Sequence, residues 1–308
     1  MSLLSYKKYD FMLSILIPSY NYNITRLVSD LRQQAMEAMV DFEIIVMEDG
    51  SNLFLEENKT VSELEFCRYI PLTKNIGRSA IRNRLADEAK YEHLLFMDCD
   101  AEISSNCFIQ KYLPFCHDEC VVIGGTAYDP AENNSDYSLR LKYGRKREAR
   151  SAKERNILTL NNFATFNFLI SKSIFNRVRF DESLKSYGHE DTLFGQQVHE
   201  LGYEFVQIEN PLIHKGLDDN KTFLKKTEIA TTNLYRLYET GNYPFLANES
   251  KLLHSFIQLK KYKLTRLFAL KFRLAKVFMR WQLSSKKPSL QLYDFYKLSF
   301  LCHVDKQK

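Results

Sequence analysis

The sequence predicts an α/β domain on a mainly parallel sheet flanked by helices, with a basic helical extension at the C-terminal end. Three observations predict it. Short apolar runs alternate with helix-like segments over short connections. The runs are apolar on both sides, as strands covered by helices on both faces must be. Charge is also split along the chain. From Lys251 onward fourteen Lys and Arg stand against two Asp and Glu, a net of +12, whereas the first 250 residues carry 29 basic and 36 acidic side chains, a net of −7. Such a split separates an acidic body, expected over residues 1–220, from a tail at 221–308 suited to an anionic partner.

The elements follow in order. Met12–Ile17 reads as a strand stopped by Pro18, which has no N–H for the ladder. A helix from Arg26 to about Ala38 puts Leu27, Leu31 and Ala35 on one face, capped by Asn23 or Thr25. Phe42–Met47 and Phe66–Leu72 are the next strands. Ser79 is placed to cap a helix over Ala80–Ala89, and His93–Met97 is the fourth strand. Val121–Gly124 and Phe163–Ser171 read as further strands. Between them Pro130–Asn156 is polar, crowded with charge and long for a connection inside a compact domain, which marks it as functional or mobile. Ser173 is placed to cap a short helix. A helix beginning at Glu190-Asp191 runs to about Glu200 and stops at Gly202. Glu204–Ile208 is a strand leading to His214, and helices follow from Thr222 to Glu239.

In such sheets ligands bind beyond the carboxyl ends of the strands. Three polar strand ends collect there: Pro18–Asn21, Glu48-Asp49, and Asp98-Cys99-Asp100. Asp98 and Asp100 are two residues apart, so an extended backbone points both carboxylates the same way, and hard oxygen donors so placed suit Mg²⁺ or Mn²⁺. Glu190 and Asp191 can either complement the helix dipole or supply a general base. His214, on a loop after a strand, is a candidate further ligand. Cys116, His117 and Cys120 lack a second pair at zinc-site spacing, and the six cysteines show no framework spacing, so they read as reduced thiols of a cytoplasmic protein. Leu13–Ile17 is too short for a signal-peptide core, and no apolar run reaches the roughly 18 residues of a spanning helix.

Five segments together, Ser14–Asn21, Ile45–Ser51, Asn75–Asn83, Phe96–Asp100 and Gly188–Asp191, resemble in order and spacing the family 2 glycosyltransferases of GT-A fold. The resemblance covers roughly Leu13–Gly216. It implies an inverting transferase, of the hexosyl or N-acetylhexosaminyl class. Such an enzyme moves a sugar from a nucleotide-diphosphate donor, with uracil the implied base, to a glycan or lipid-linked acceptor in polysaccharide biosynthesis. It also implies roles: Pro18 and Tyr20 line base and ribose, Asp49 hydrogen-bonds the base, Arg82 lies by the nucleotide, Asp98 reaches ribose or metal, Asp100 binds Mn²⁺ or Mg²⁺, and His214 completes the metal or diphosphate site. Asp191 is the implied general base, with Glu190 orienting the acceptor or substituting for it. Glu48 departs from the family, where a second aspartate is usual. A nucleotidyltransferase is the rival enzyme class, but it calls for a glycine-rich phosphate loop after the first strand, which Pro18–Asn21 is not. A non-catalytic sugar-nucleotide scaffold is the rival outside enzymes, disfavoured by the presence of all four acids.

In the tail, Lys263–Trp281 reads as a helix. Leu264, Leu267, Phe268, Leu274, Ala275, Phe278 and Trp281 are expected on one side and Lys263, Arg266, Arg273, Lys276 and Arg280 on another. That pattern fits a helix lying on an anionic membrane surface, or equally one packed on the body or on a partner subunit; the context of its aromatics disfavours nucleic acid.

Overall fold

The computed structural model describes residues 12–116, 119–157, 163–184 and 187–307. His117 of the Cys116–Cys120 segment lies outside them. The chain divides into two compact units, the first made of residues 1–127, 150–185 and 191–215 and the second of 128–149, 186–190 and 216–308.

The elements are β1 (Met12–Ser19), α1 (Thr25–Glu37), β2 (Asp41–Glu48), α2 (Leu55–Lys59), β3 (Cys67–Pro71), α3 (Arg78–Glu88), β4 (His93–Met97), β5 (Ala101–Glu102), β6 (Cys120–Ile123) and β7 (Thr126–Ala127). Then come α4 (Ser138–Tyr143), α5 (Ala152–Ile157), β8 (Asn167–Ser171), α6 (Lys172–Val178), α7 (Glu190–Glu200), β9 (Glu204–Gln207) and β10 (Leu212–His214). The chain ends in α8 (Asn220–Thr240), α9 (Leu246–Glu249), α10 (Lys251–Lys261), α11 (Thr265–Leu283) and α12 (Leu290–Asp305).

In the first unit seven strands run in the order β3-β2-β1-β4-β8-β6-β9, all parallel to their neighbours except β8, which is antiparallel to both β4 and β6. The two-residue period of the strands sorts their side chains into two cores. Leu13, Ile15 and Ile17 face α1 through Leu27, Val28, Leu31 and Ala35. Leu16, Ile45, Leu94 and Phe96 face Ile81 and Leu85 of α3 and the aromatic group Phe168, Phe175 and Phe194. Burying both faces of β1, β2 and β4 fixes their register, since a one-residue slip would exchange the two cores. A second, three-stranded sheet, β5-β10-β7, lies in the same unit.

Several local expectations are corrected. β1 runs through Pro18 to Ser19 rather than ending before it; pairing with β4 stops at Leu16, so the proline falls where only β2 continues the ladder. α1 has no side-chain cap, because its N-cap residue is Ile24, which carries no acceptor; Asn58 Oδ1 from α2 accepts the Ile24 N–H at 3.0 Å, and Asn23 accepts from Thr25. α3 starts at Arg78, with Gly77 (φ 90°) at its N-cap, so Ser79 lies inside the first turn. α6 is capped by Ser171, not Ser173. β8 is shorter than Phe163–Ser171: Phe163 and Phe166 precede it and pack in opposite cores.

In the second unit, Leu139, Phe223, Leu224, Phe272, Met279, Leu283, Tyr293 and Tyr296 form the core. The long polar segment is largely helical, with a 3₁₀ turn at Ser135–Tyr137, then α4 and a π turn at Gly144–Glu148. Arg147 forks onto Asp294 of α12 at 2.7 and 2.6 Å, and Arg140 pairs with Glu148 at 2.9 Å. These ion pairs explain why so charged a stretch is ordered. α11 is apolar on two faces, not one. At 100° per residue Thr265, Ala269, Phe272, Met279 and Leu283 form its buried side. Leu267, Leu270, Leu274, Val277, Phe278 and Trp281 form the opposite side and are 46–78% exposed.

Candidate active site

Of the predicted site residues of the first unit, Pro18, Tyr20, Asp49, Asp98 and Asp100 lie at the carboxyl ends of β1, β2 and β4, and Arg82 and His214 reach them from α3 and β10. Asp49 follows β2, and its carboxylate accepts the main-chain N–H groups of Ile76 (2.7 Å) and Gly77 (3.2 Å), while Asn75 Nδ2 donates to its carbonyl at 3.1 Å. Burial raises the Asp49 pKa above the ordinary value and the two amides pull it back down. This carboxylate therefore fixes the turn that launches α3, whose own first-turn amides take no side-chain cap. Glu48 is fully buried and accepts from the Ser51 hydroxyl, from Asn58 Nδ2 (3.0 Å) and from the Tyr69 hydroxyl (3.2 Å). A longer acid than the family's usual aspartate is thus used internally. Ser51 in turn accepts the Asn21 N–H at 2.7 Å, and Asn21 Oδ1 accepts from Asn52 and Leu53, which ties the end of β1 to the end of β2. Pro18 is partly buried, and the Tyr20 side chain is 52% exposed.

Asp98 and Asp100, expected as a matched pair, have different partners. Arg82, buried in α3, donates from Nη2 to Asp98 Oδ1 at 2.6 Å. Burial raises the Asp98 pKa; Arg82 opposes that rise and the Asp100 charge adds to it. Asp100 Oδ2 instead lies 3.0 Å from His214 Nε2, across 114 residues of sequence. The small sheet makes that contact: β10 pairs antiparallel with β5, setting His214 opposite Ala101, and Lys215 donates its N–H to the Asp100 carbonyl at 2.8 Å. The His214 ring also tilts against Phe166, centroids 5.1 Å apart. Both carboxylates stay partly accessible, 30% of the Asp98 side chain and 24% of that of Asp100. Negative potential pools here. The Tyr22 pKa is pushed up to about 12, first by burial and then by Asp100, Cys99 and Glu102.

The donor set can be tested against a divalent ion. Asp100 and His214 already sit close enough to share one ion, whereas Asp98 is engaged by Arg82. Among the described residues no group of three His, Cys, Asp or Glu side chains converges as a ready metal cage. Mg²⁺ and Mn²⁺ fit such a partial set, since they commonly take one or two carboxylates and fill the shell from substrate phosphates and water.

Asp191 is the second residue of α7. Its Oδ1 accepts the Thr192 N–H at 2.7 Å. Glu190, in the second unit, is buried. The turn before it, Gly188 (φ 98°) and His189 (φ 76°), is left-handed at both residues, which is costly for a histidine. α8 holds it there. His189 Nε2–H donates to the Ala230 carbonyl at 3.1 Å, Asn233 Nδ2 donates to the Tyr187 carbonyl at 2.9 Å, and a Cβ on Gly188 would come 2.9 Å from Ala230 Cβ. Burial lowers the His189 pKa. Sequence reading passed over His189, Asn58 and Tyr69; only the left-handed turn implied by Gly188 hinted at the first.

The glycosyl transferase family 2 signature matches residues 14–179, just over half of the 308, and the chain belongs to that family. Among solved structures it is similar to the mannosyltransferase PcManGT from Pyrobaculum calidifontis in complex with GDP-Man and Mn²⁺, at 12% identity over 96% of this chain and 86% of that one, TM-score 0.59. It is also similar to TarS of S. aureus, at 18% identity over 73% of this chain, TM-score 0.49, and it covers 40% of the length of TarS. At 12% identity the likeness to PcManGT is one of fold. No curated protein matches the sequence.

Proposed function

We propose that the protein is an inverting, metal-assisted glycosyltransferase that moves a sugar from a nucleotide-diphosphate donor to a hydroxyl of a glycan or lipid-linked acceptor. The observation that carries this reading is the Asp100–His214 contact at 3.0 Å, built by strand pairing beside the Arg82–Asp98 pair in a member of this family. Pro18, Tyr20 and Asp49 form the nucleotide edge: the exposed Tyr20 ring offers a face to the base, and Asp49 holds the turn beside it. Arg82 compensates Asp98 and keeps that carboxylate aimed at the ribose side. Asp100 and His214 would hold Mn²⁺ or Mg²⁺, which supplies positive charge against the departing diphosphate. Asp191 takes the proton of the acceptor hydroxyl as its oxygen attacks the anomeric carbon opposite the leaving group, and Glu190 orients the acceptor. One base and back-side attack convert an α-linked donor into a β-linked product. The experiment is transfer from a panel of UDP- and GDP-sugars with Mn²⁺ or Mg²⁺, read with the anomeric configuration of the product. GDP-mannose joins the panel because PcManGT is bound to it. Absence of any donor-dependent product, or a retained configuration, overturns the reading.

A second part of the proposal concerns the tail. The outer side of α11 is a ridge from Leu267 to Trp281, about 100° wide, with Lys271 along one edge and Arg266, Arg273 and Arg280 along the other. Phe278 and Trp281 lie with ring centroids 5.8 Å apart near its end. An apolar stripe between two basic borders complements an anionic lipid surface. No helix among the described residues is long and apolar enough to cross a membrane, so the contact proposed is peripheral, on the cytoplasmic face. Co-flotation with anionic vesicles tests it.

A further inference from the structure

The second unit also contains a basic cavity that neither the nucleotide edge nor the α11 ridge uses. It has a volume of about 590 Å³ and lies where the segment around α4 meets the α11–α12 connection. Lys142, Arg145, Lys146, Lys286 and Lys287 line it together with Asn133, and no carboxylate does. Two of these cations are positioned without being neutralised. Lys142 Nζ donates to the Pro288 carbonyl at 2.7 Å, and Arg145 donates to the Asp129 and Glu132 carbonyls, both at 2.5 Å. Elsewhere in the same unit four cations do meet carboxylates: Arg140 with Glu148, Arg147 with Asp294, Lys226 with Asp218 and Arg280 with Glu228. The five like charges, from two distant stretches of chain, are exposed around one hollow, so water and salt screen their repulsion while their summed potential favours an anion seated there. A volume near 590 Å³ is in the range of small-molecule sites, larger than a single ion needs.

We infer that this cavity is a binding site for a phosphate- or diphosphate-bearing ligand, separate from the donor site. Lys146, Lys286 and Lys287 meet the phosphate oxygens with charge-assisted hydrogen bonds, the Asn133 amide adds a neutral donor, and the anchored Lys142 and Arg145 set the field. The shared chemistry is a phosphate ester, whether free in solution or at the head of a lipid.

The experiment titrates the full-length protein by calorimetry with inorganic pyrophosphate, in the presence of a chelator, and in parallel by flotation with phosphatidylcholine vesicles with and without phosphatidic acid. The variant K146S/K286S/K287S is compared with K59S/K225S/K251S, which removes the same charge from exposed lysines that do not line the cavity. The expected result is a loss of about tenfold or more in affinity for the cavity variant, in one arm or both, with the control within about twofold of the unmodified protein. Loss in the pyrophosphate arm identifies a soluble ester, and loss confined to vesicles a lipid headgroup. The proposal is overturned if the cavity variant matches the unmodified protein in both arms, or if the control loses as much. Neither arm reads sugar transfer, so this outcome is independent of the donor-panel result. Circular dichroism confirms folding, and the single reversal K286E repeats the test with the least perturbation.

Discussion

At the carboxyl edge of the sheet, Glu48 is fully buried and takes donors from Ser51, Asn58 and Tyr69, Asp49 takes two main-chain amides, and Asp98 takes Arg82. On the outer side of α11, six large apolar residues stand in water, and in the basic cavity five cations share no carboxylate. The first region spends its polar groups on itself, so that Asp100 and His214 are held on a rigid frame. The second keeps its groups for something outside the chain. The difference teaches which residues should act through stability and which through binding, and mutations can separate the two.

The largest effect is expected at the proposed base. Asp191→Asn keeps the Thr192 N–H contact through its amide oxygen but accepts no proton, so turnover should fall by about 10²–10⁴-fold while donor affinity holds within about threefold. Single-turnover rates and donor titration check this. Near-normal turnover removes Asp191 from the mechanism.

Next comes the frame. Glu48→Ala strands three buried or part-buried donors at once and should cost about 3 kcal/mol or more of unfolding free energy. In contrast, L274S/F278S/W281S on the α11 ridge should shift stability by only about 0.5 kcal/mol per site, yet abolish co-flotation with anionic vesicles. Urea midpoints and flotation read the two variants side by side. Equal stability losses would collapse the distinction between the regions.

The fold was legible because both faces of β1, β2 and β4 are covered, so composition alone marks them as central strands. The pairing of Asp100 with a distant histidine was legible only as a candidate, since His214 arrives through β10, a three-residue strand too short to announce itself. The amide contacts of Asp49 were not legible for a different reason: a carboxylate after a strand looks the same in sequence whether or not it also meets the amides of a turn 27 residues on. α11 misled most. Its residues are apolar through more than half of the helical circle, and which face is buried depends on Tyr293 and Tyr296 of α12, which no local periodicity encodes.

The smallest effect concerns His189. Burial holds its pKa below the ordinary value of 6.5, so the unfolded chain binds a proton more readily than the folded one. Stability carried by neutral His189 is therefore present above the unfolded value and is lost as pH falls from about 6.5 toward its lowered folded pKa. Neighbouring groups set the size of the shift: the Ala230 carbonyl and the Glu190 charge both favour the protonated ring and limit it. His189→Gln keeps a donor for Ala230 but does not titrate, so its melting temperature should fall less between pH 7 and pH 5 than that of the unmodified protein. Because His189 precedes Glu190 and Asp191 directly, the unmodified protein should also lose transfer activity over the same interval more steeply than the variant. Parallel pH profiles of melting and activity in the two proteins sink the idea that this histidine positions the acid pair.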